Sequence, residues 1–300
     1  MQAARYHQYG GPEVLQIEEA PIPPVPANGI RIKTRAASVN PVDTILRAGR
    51  AQELIPLELP AIPGRDAAGI VEEVGEDVTG IQIGESVFGL GGVSDTTAEY
   101  SVLTAWANIP STWSFEQAAA AGLASNTAVR GLGSFDSLDG KTMLIDGAAG
   151  SVGSAAATIA ISRGAKVIGT ANPTNHDFLA SIGVIPTSYG PGLAERVGEI
   201  VKTGIDFALD TAGMGSLTEL VKITGAPECV TTVADQTGHA IGVRVVNAQN
   251  DSLTLEVAAA LGETGVYLPR VAQSFPLQMI AEAHILAQAG GTQGKVVVTI

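Results

Sequence analysis

The sequence predicts an α/β protein built on a doubly wound parallel sheet and joined to a second, β-rich domain. Three observations carry that expectation. From about Ser114 onward, apolar strand patterns alternate with helix patterns, which is the signature of parallel strands linked by crossover helices. Residues 1–115 have another texture, with short apolar runs broken by Pro and Gly. After about Val266 the pattern reverts to one helix and a terminal strand. The expected organisation is therefore a β-rich domain over 1–115, completed by about 267–300, with the parallel-sheet domain of 116–266 set into it.

The elements follow in order. VLQIEEAPIPPV, GIRIKTRAASV, AAGIVEEVG and ESVFGLGG read as strands closed by turns. SFEQAAAAGLASNTAVRGL is a helix, with Ser114 as N-cap and Glu116 and Gln117 in its first turn. TMLIDG is a strand, and SVGSAAATIAISRG a helix ending at Gly164. AKVIGTA is a strand, and NHDFLASIG a helix ending at Gly183. GIDFALDTAG, SLTELVKITG and ECVTTVA read as strand, helix and strand. FPLQMIAEAHILAQAG is a late helix and GKVVVTI a last strand.

Composition narrows the function. The 300 residues are 45% hydrophobic and 16% charged, enough for a substantial core. The balance of 17 basic against 30 acidic residues gives a net charge of −13, and such a surface repels phosphate backbones, so no nucleic-acid partner is expected. A single cysteine, Cys229, leaves no intramolecular disulfide and no multi-thiolate zinc site. No basic stretch followed by an apolar one opens the sequence, and no apolar run reaches the ~18 residues of a membrane span. A water-soluble, cytoplasmic protein without a membrane partner is expected.

The segment from Leu144 to Thr170 reads LIDGAAGSVGSAAATIAISRGAKVIGT. It resembles the G-x-G-x-x-G turn that carries a dinucleotide pyrophosphate, with Ala148 in the first glycine position followed by Gly150 and Gly153. Ala148, Ala149, Gly150, Ser151, Val152 and Gly153 are expected to hold the pyrophosphate at a helix N-terminus. Gly150 would let the backbone approach the ligand, and Gly153 would let the helix pack on the strand. Alanine is tolerable at 148 if that position does not need a positive φ. No Gly-Lys-Ser/Thr ending follows, which disfavours ATP or GTP. The acid expected about 20 residues on, which would hold a ribose hydroxyl, is missing. Thr170, Ala171, Asn172, Thr174 and Asn175 stand there, with His176 next. Removing that anion removes the barrier to a 2′-phosphate, so NADPH is expected over NADH. Asn175 reads equally as an ordinary helix N-cap.

Further motifs recur along nearly the whole chain: YGGPEVL (9–15), ASVNPVD (37–43), PGRDAAGIVEEVG (63–75), GESVFGL (84–90), AEY (98–100), GTANPTNHDFL (169–179) and GKVVV (294–298). With the glycine turn, they resemble the medium-chain dehydrogenase/reductase superfamily in its zinc-independent quinone oxidoreductase branch. The resemblance implies a GroES-like β-barrel domain, a Rossmann domain set in it, and a cofactor in the cleft between. Zinc-dependent relatives carry Cys where this chain has Asn40, and Gly-His-Glu where it has Gly64, Arg65 and Asp66. The four histidines, His7, His176, His239 and His284, show no ligand spacing, so no zinc is expected.

By the same resemblance, Asn40 of NPVD lies near the nicotinamide, Asp43 fixes that loop or a ribose hydroxyl, and Thr127 flanks the nicotinamide. An Asn-Pro turn is the plainer reading of Asn40, and a packing threonine that of Thr127. Tyr189, one place off an ungapped match, would close the adenine side. Thr174 stands where relatives often place a basic residue, and Lys295, which matches the family ending, is expected on the cofactor, unless its side chain is only solvated. The strand ends LDTAG and TTVAD offer Thr211, Ala212, Val233 and Ala234 to the ribose and nicotinamide. No general acid is apparent. Hydride would pass to an electron-poor carbon, with oxyanion charge met by Asn40, backbone N–H groups or ribose hydroxyls.

The expected activity is NADPH-dependent reduction of a quinone or an α,β-unsaturated carbonyl. An enoyl-thioester reductase and a cofactor-binding protein without turnover are the alternatives. The loops 47–61 and 262–271, with Leu46, Ile55, Leu57 and Tyr267, suggest a small hydrophobic acceptor, although ordinary loop packing explains them equally well. A homodimer is expected, with GVRVV (242–246) as a candidate pairing strand.

Overall fold

In the computed structural model, which describes residues 1–300, the chain forms two units: Met1–Leu123 with Asn250–Ile300, and Ala124–Gln249. Unit 1 begins with β1 (Gln2–Arg5), β2 (Gln16–Glu19), β3 (Ile30–Val39), α1 (Pro41–Arg47), β4 (Asp66–Val74), β5 (Ser86–Leu90), β6 (Tyr100–Leu103) and β7 (Ala105–Asn108). Helix α2 (Phe115–Leu132) runs through the division. Unit 2 holds β8 (Thr142–Asp146), α3 (Ser151–Ser162), β9 (Lys166–Thr170), α4 (His176–Ser181), β10 (Ile185–Thr187), α5 (Leu193–Ile200), β11 (Phe207–Asp210), α6 (Leu217–Thr224), β12 (Val230–Thr232) and β13 (Arg244–Val245). The chain then returns to unit 1 as α7 (Ser252–Glu263), β14 (Val271–Pro276), α8 (Ile280–Ala289) and β15 (Lys295–Thr299).

The sheet of unit 1 has seven strands, with the path β14-β15-β3-β4-β5-β7 and β6 paired to β3. Strand β3 shows why it sits at the centre. Ile30, Ile32, Thr34 and Ala36 are buried while Arg31, Lys33 and Arg35 face outward, which is the two-residue period of a half-buried strand. From Ala37 to Val39 every residue is buried, because β15 pairs there antiparallel, Val39 opposite Val296. Its three valines, Val296–Val298, are at most 2% exposed. The terminal strand is therefore part of the unit 1 sheet.

Unit 2 is a six-stranded, fully parallel sheet in the order β10-β9-β8-β11-β12-β13. The chain winds outward from β8 to β10, then crosses back to β11 and winds the other way. The order reverses between β8 and β11, so the crevice above their C-terminal ends is the position where such sheets bind ligands. Leu144, Ile168, Ala208 and Val230 on the strands pack against Leu193, Val197, Leu217 and Leu220 of α5 and α6.

Two features differ from expectation. The second division falls at 249/250 rather than 266/267. Helix α7 covers β7: Ser252 Oγ accepts from the Trp106 amide at 3.0 Å, and a Cβ on Gly262 would lie 2.5 Å from the Trp113 ring. The Trp113 indole donates to the Tyr267 carbonyl at 3.0 Å. The first division falls inside α2 rather than ahead of it, because the helix is continuous. Its start is capped reciprocally by Ser114 and Gln117, at 3.3 and 3.0 Å. No helix is long and apolar enough to cross a membrane.

Candidate functional site

The glycine turn sits at the switch point of unit 2. The positive φ of the turn falls on Gly147, at +79°. Ala148 has no such requirement, so a side chain is allowed there. Its methyl is fully buried, and the space it needs comes from Gly169 on β9, where an added Cβ would lie 2.5 Å from the Ala148 Cβ. A Cβ on Gly153 would come within 2.2 Å of the Gly147 carbonyl oxygen, so α3 seats on the turn only because that residue has no side chain. A Cβ on Gly150 would meet nothing closer than the Gly147 oxygen at 3.3 Å, which leaves an open approach to the first-turn amides of α3. Those amides have no partner within the helix and form an anion seat. This local geometry fits a pyrophosphate.

Buried carboxylates tie the strand ends below the seat. Asp146, 3% exposed, accepts from the Thr170 hydroxyl and from Ser216 Oγ at 2.5 Å. The Gly147 amide in turn donates to Thr170 Oγ1 at 3.0 Å. Thr211 Oγ1 donates to the Asp146 carbonyl at 2.7 Å. Asp210 accepts from the amides of Ala212 and Gly213, each at 2.9 Å, and from Thr232 Oγ1 at 2.7 Å. Gly213 lies close against Ala234, whose amide donates to Thr232 Oγ1 at 3.1 Å; Val233 is bonded through its amide to the Asp210 carbonyl. Ala148–Gly153, Thr170, Thr211, Ala212, Val233 and Ala234 are thus gathered on one edge of the sheet. Asp146 and Asp210 were not among the sequence candidates. Their signal is an aspartate closing an apolar strand, in LID and ALD.

Along the same edge, the Ala171 amide donates to the Thr187 carbonyl at 2.9 Å. Asn172 Oδ1 accepts from the Thr174 amide and hydroxyl, at 3.1 and 3.0 Å. The local cap is therefore Asn172, not Asn175, whose side chain makes no capping bond. Asn175 Oδ1 is buried without a partner. Tyr189 follows β10 and is 59% exposed, on a loop whose carbonyls at Ser188, Tyr189 and Gly190 all accept from Arg196 Nη2. Thr127 is 9% exposed on α2.

A second constellation lies within unit 1. Asn40 is the N-cap of α1, and its backbone amide donates to Asp43 Oδ2 at 2.7 Å. Its Nδ2 donates to Asp66 Oδ1 at 2.7 Å and Asp43 Oδ2 at 3.2 Å. Its Oδ1 accepts from the Lys295 ammonium. Asp66 also accepts from Ser38 Oγ and from the Leu123 amide, both at 2.7 Å. All five side chains are at most 7% exposed. Burial, reinforced by the neighbouring Asp66 charge, pushes the Asp43 carboxyl from 3.8 to about 7. Burial also lowers the Lys295 ammonium, against the pull of Asp66 and Asp43. Ser38 and Asp66 were not among the expected site residues; Asp66, inside GRDAAG, entered only through the comparison with zinc-dependent relatives. Leu46 and Tyr267, expected as acceptor lining, are instead packing residues, each 3% exposed, and the Tyr267 ring stands edge-on to Trp113 at 5.5 Å.

Residues 26–121 match the alcohol dehydrogenase GroES-like domain family. The quinone oxidoreductase of Sus scrofa is 32% identical over 326 residues, covering 100% of this chain and 98% of that protein. The 2-methylene-furan-3-one reductase of Solanum lycopersicum is 29% identical over 317 residues, covering 99% of this chain and 79% of that protein. A mycobacterial structure complexed with NADPH superposes with a TM-score of 0.82 at 25% identity, covering 100% of both chains. Fold and matches together define an oxidoreductase with a GroES-like domain and a Rossmann domain. Within that class, the chain belongs to the quinone oxidoreductase family of the medium-chain dehydrogenase/reductases.

Proposed function

We propose that the protein is an NADPH-dependent reductase that passes hydride to a quinone or an α,β-unsaturated carbonyl without zinc. The observation that carries this reading is the open, glycine-lined anion seat at the β8/β11 switch point. The names of the full-length relatives, a quinone oxidoreductase and an enone-type reductase, support the acceptor class. When bound, NADPH supplies the hydride. The first turn of α3 holds its pyrophosphate. Asn172 and Asn175 offer side-chain N–H groups to a 2′-phosphate, Thr174 orients Asn172 through the hydroxyl it donates to Asn172 Oδ1, Tyr189 flanks the adenine, and Thr211, Ala212, Val233 and Ala234 border the ribose and nicotinamide. Asn40, Asp43 and Thr127 belong to the nicotinamide end. Asn40 acts there through its bonds to Asp43, Asp66 and Lys295, because both of its amide N–H directions are already engaged. Carrying Asn40 and Arg65 where zinc-dependent relatives carry Cys and His supports chemistry without that metal.

One observation favours a second cofactor. Asn175 Oδ1 lacks a donor, and a ribose 2′-hydroxyl would supply one where a phosphate would not. Nicotinamide oxidation followed with NADPH and NADH against a quinone, an enone and an enoyl-CoA decides both questions. NADPH turnover with the first two is expected. Turnover with the thioester alone would move the protein to acyl metabolism, and NADH preference would identify Asn175 as a hydroxyl acceptor. We further propose a cytoplasmic homodimer, with edge strand β13, whose partner in the sheet is β12, as the pairing strand. Light scattering would test the dimer.

A further inference from the structure

The cluster in unit 1 contains a charge that a merely structural corner would not need. Replacing buried ionic groups by well-packed apolar ones is often neutral or stabilising, yet Lys295 lies 7% exposed between two buried carboxylates. Its ammonium grips Asn40 Oδ1, which leaves two of its three N–H donors without an assigned bond. The two carboxylates are unequally served. Asp66 accepts from Ser38, Asn40 and the Leu123 amide. On Asp43, Oδ2 accepts both Asn40 donors, while Oδ1 is buried with no partner. With one oxygen unpartnered and burial raising it to about 7, Asp43 is the carboxyl of the cluster whose charge changes in the neutral range.

We propose that Lys295 is a positioning residue for hydride transfer. By holding Asn40 Oδ1 it turns Nδ2 toward Asp66 and Asp43, and so fixes the entry of α1 and the surroundings of the Asp43 carboxyl. The groups facing Asp43 are Asp66 from β4, Lys295 from β15, and Tyr6 following β1. Arg47, one turn along α1, points instead to Gly10, His284 and Gln288. The kinetic half of the proposal rests on the reductase reading; the electrostatic half does not.

The test compares wild type with Lys295→Met, Lys295→Arg and Asp43→Asn. Carboxyl carbon NMR on the cofactor-free protein follows the Asp43 titration, and kcat and KM for NADPH with 1,4-benzoquinone are measured against pH. Loss of the ammonium in Lys295→Met is expected to raise the Asp43 titration by roughly one pH unit or more. In the same variant kcat falls about 10- to 100-fold with KM little changed, the scale of a misplaced site. Lys295→Arg restores most of both, and Asp43→Asn removes the neutral-range limb of the kcat profile. An unmoved Asp43 titration in Lys295→Met, or a limb that survives Asp43→Asn, overturns the proposal. Should Lys295→Met fail to fold, Lys295→Gln carries the same comparison, because it keeps a donor for Asn40 without the charge. A wild type that oxidises no NADPH sinks the reductase reading, while the NMR titration still decides the role of Lys295.

Discussion

His284 shows how a single residue sets a pH limit. It is 1% exposed on α8, and its Nδ1 lies 3.0 Å from Arg47 Nη1. The guanidinium can only donate, so the ring accepts and must be neutral. Burial, aided by that positive charge, lowers its pKa from 6.5 to about 3. The unfolded ring takes up a proton below its ordinary value and the folded one does not. Its contribution to stability is therefore complete above pH 6.5 and is lost as the pH falls toward 3, a few kcal/mol at about 1.4 kcal/mol per unit. His284→Asn keeps an acceptor toward Arg47 without a titrating group. Urea unfolding between pH 7 and 4 should show a flatter pH dependence for this variant, after an initial loss of about 1–2 kcal/mol at neutral pH. The role of His284 was not legible beforehand, because its partner Arg47 is 237 positions away. The same distance problem hid the Lys295–Asn40 bond, which spans 255 positions; Asn40 and Lys295 were each visible only as members of separate motifs.

The glycine turn is the element that the sequence disclosed best, because its constraints are local. Strand, turn and helix are contiguous, and the small residues at 147, 150 and 153 are read directly. What the one-dimensional pattern hid is the compensation for Ala148, since Gly169 sits on the neighbouring strand. This pair predicts a coupling. Gly169→Ala alone puts a Cβ 2.5 Å from that of Ala148 and 2.7 Å from Val184 Cγ1, which should cost about 1–3 kcal/mol and weaken NADPH binding measured by fluorescence. Adding Ala148→Gly should recover part of the loss, a coupling of ~0.5–3 kcal/mol, with the remainder due to Val184. Strict additivity of the two changes would show that the turn and β9 do not share that space. Other elements escaped for physical reasons. β1, β10 and α1 have four, three and seven residues, too few to establish a period. In α7 the sequence SLTLEVAAALGE buries Thr254, Leu255, Ala258 and Gly262, a face of mixed size and polarity that gives a weak helical signal.

At the scale of the whole molecule, unit 2 is one uninterrupted stretch of chain whereas unit 1 is assembled from two. Strand β15 lies between β14 and β3, inside the sheet rather than at its margin. Deleting residues 295–300 removes three buried valines, each worth about 1.5–3 kcal/mol, along with the hydrogen-bonded partners of both neighbouring strands. Against a total stability of ~5–15 kcal/mol, that loss should unfold unit 1. Limited proteolysis is expected to leave a resistant fragment near residues 124–249, and equal resistance of both units would contradict the placement of β15. Synthesis adds a temporal consequence. The ribosome delivers the whole of unit 2 before β15 emerges, so until then Asn40, Asp43 and Asp66 wait without the Lys295 ammonium. On the proposed function, the nascent protein would acquire its dinucleotide seat early and its hydride-positioning corner late, and a chain stalled between the two would hold a dinucleotide it has no means to use.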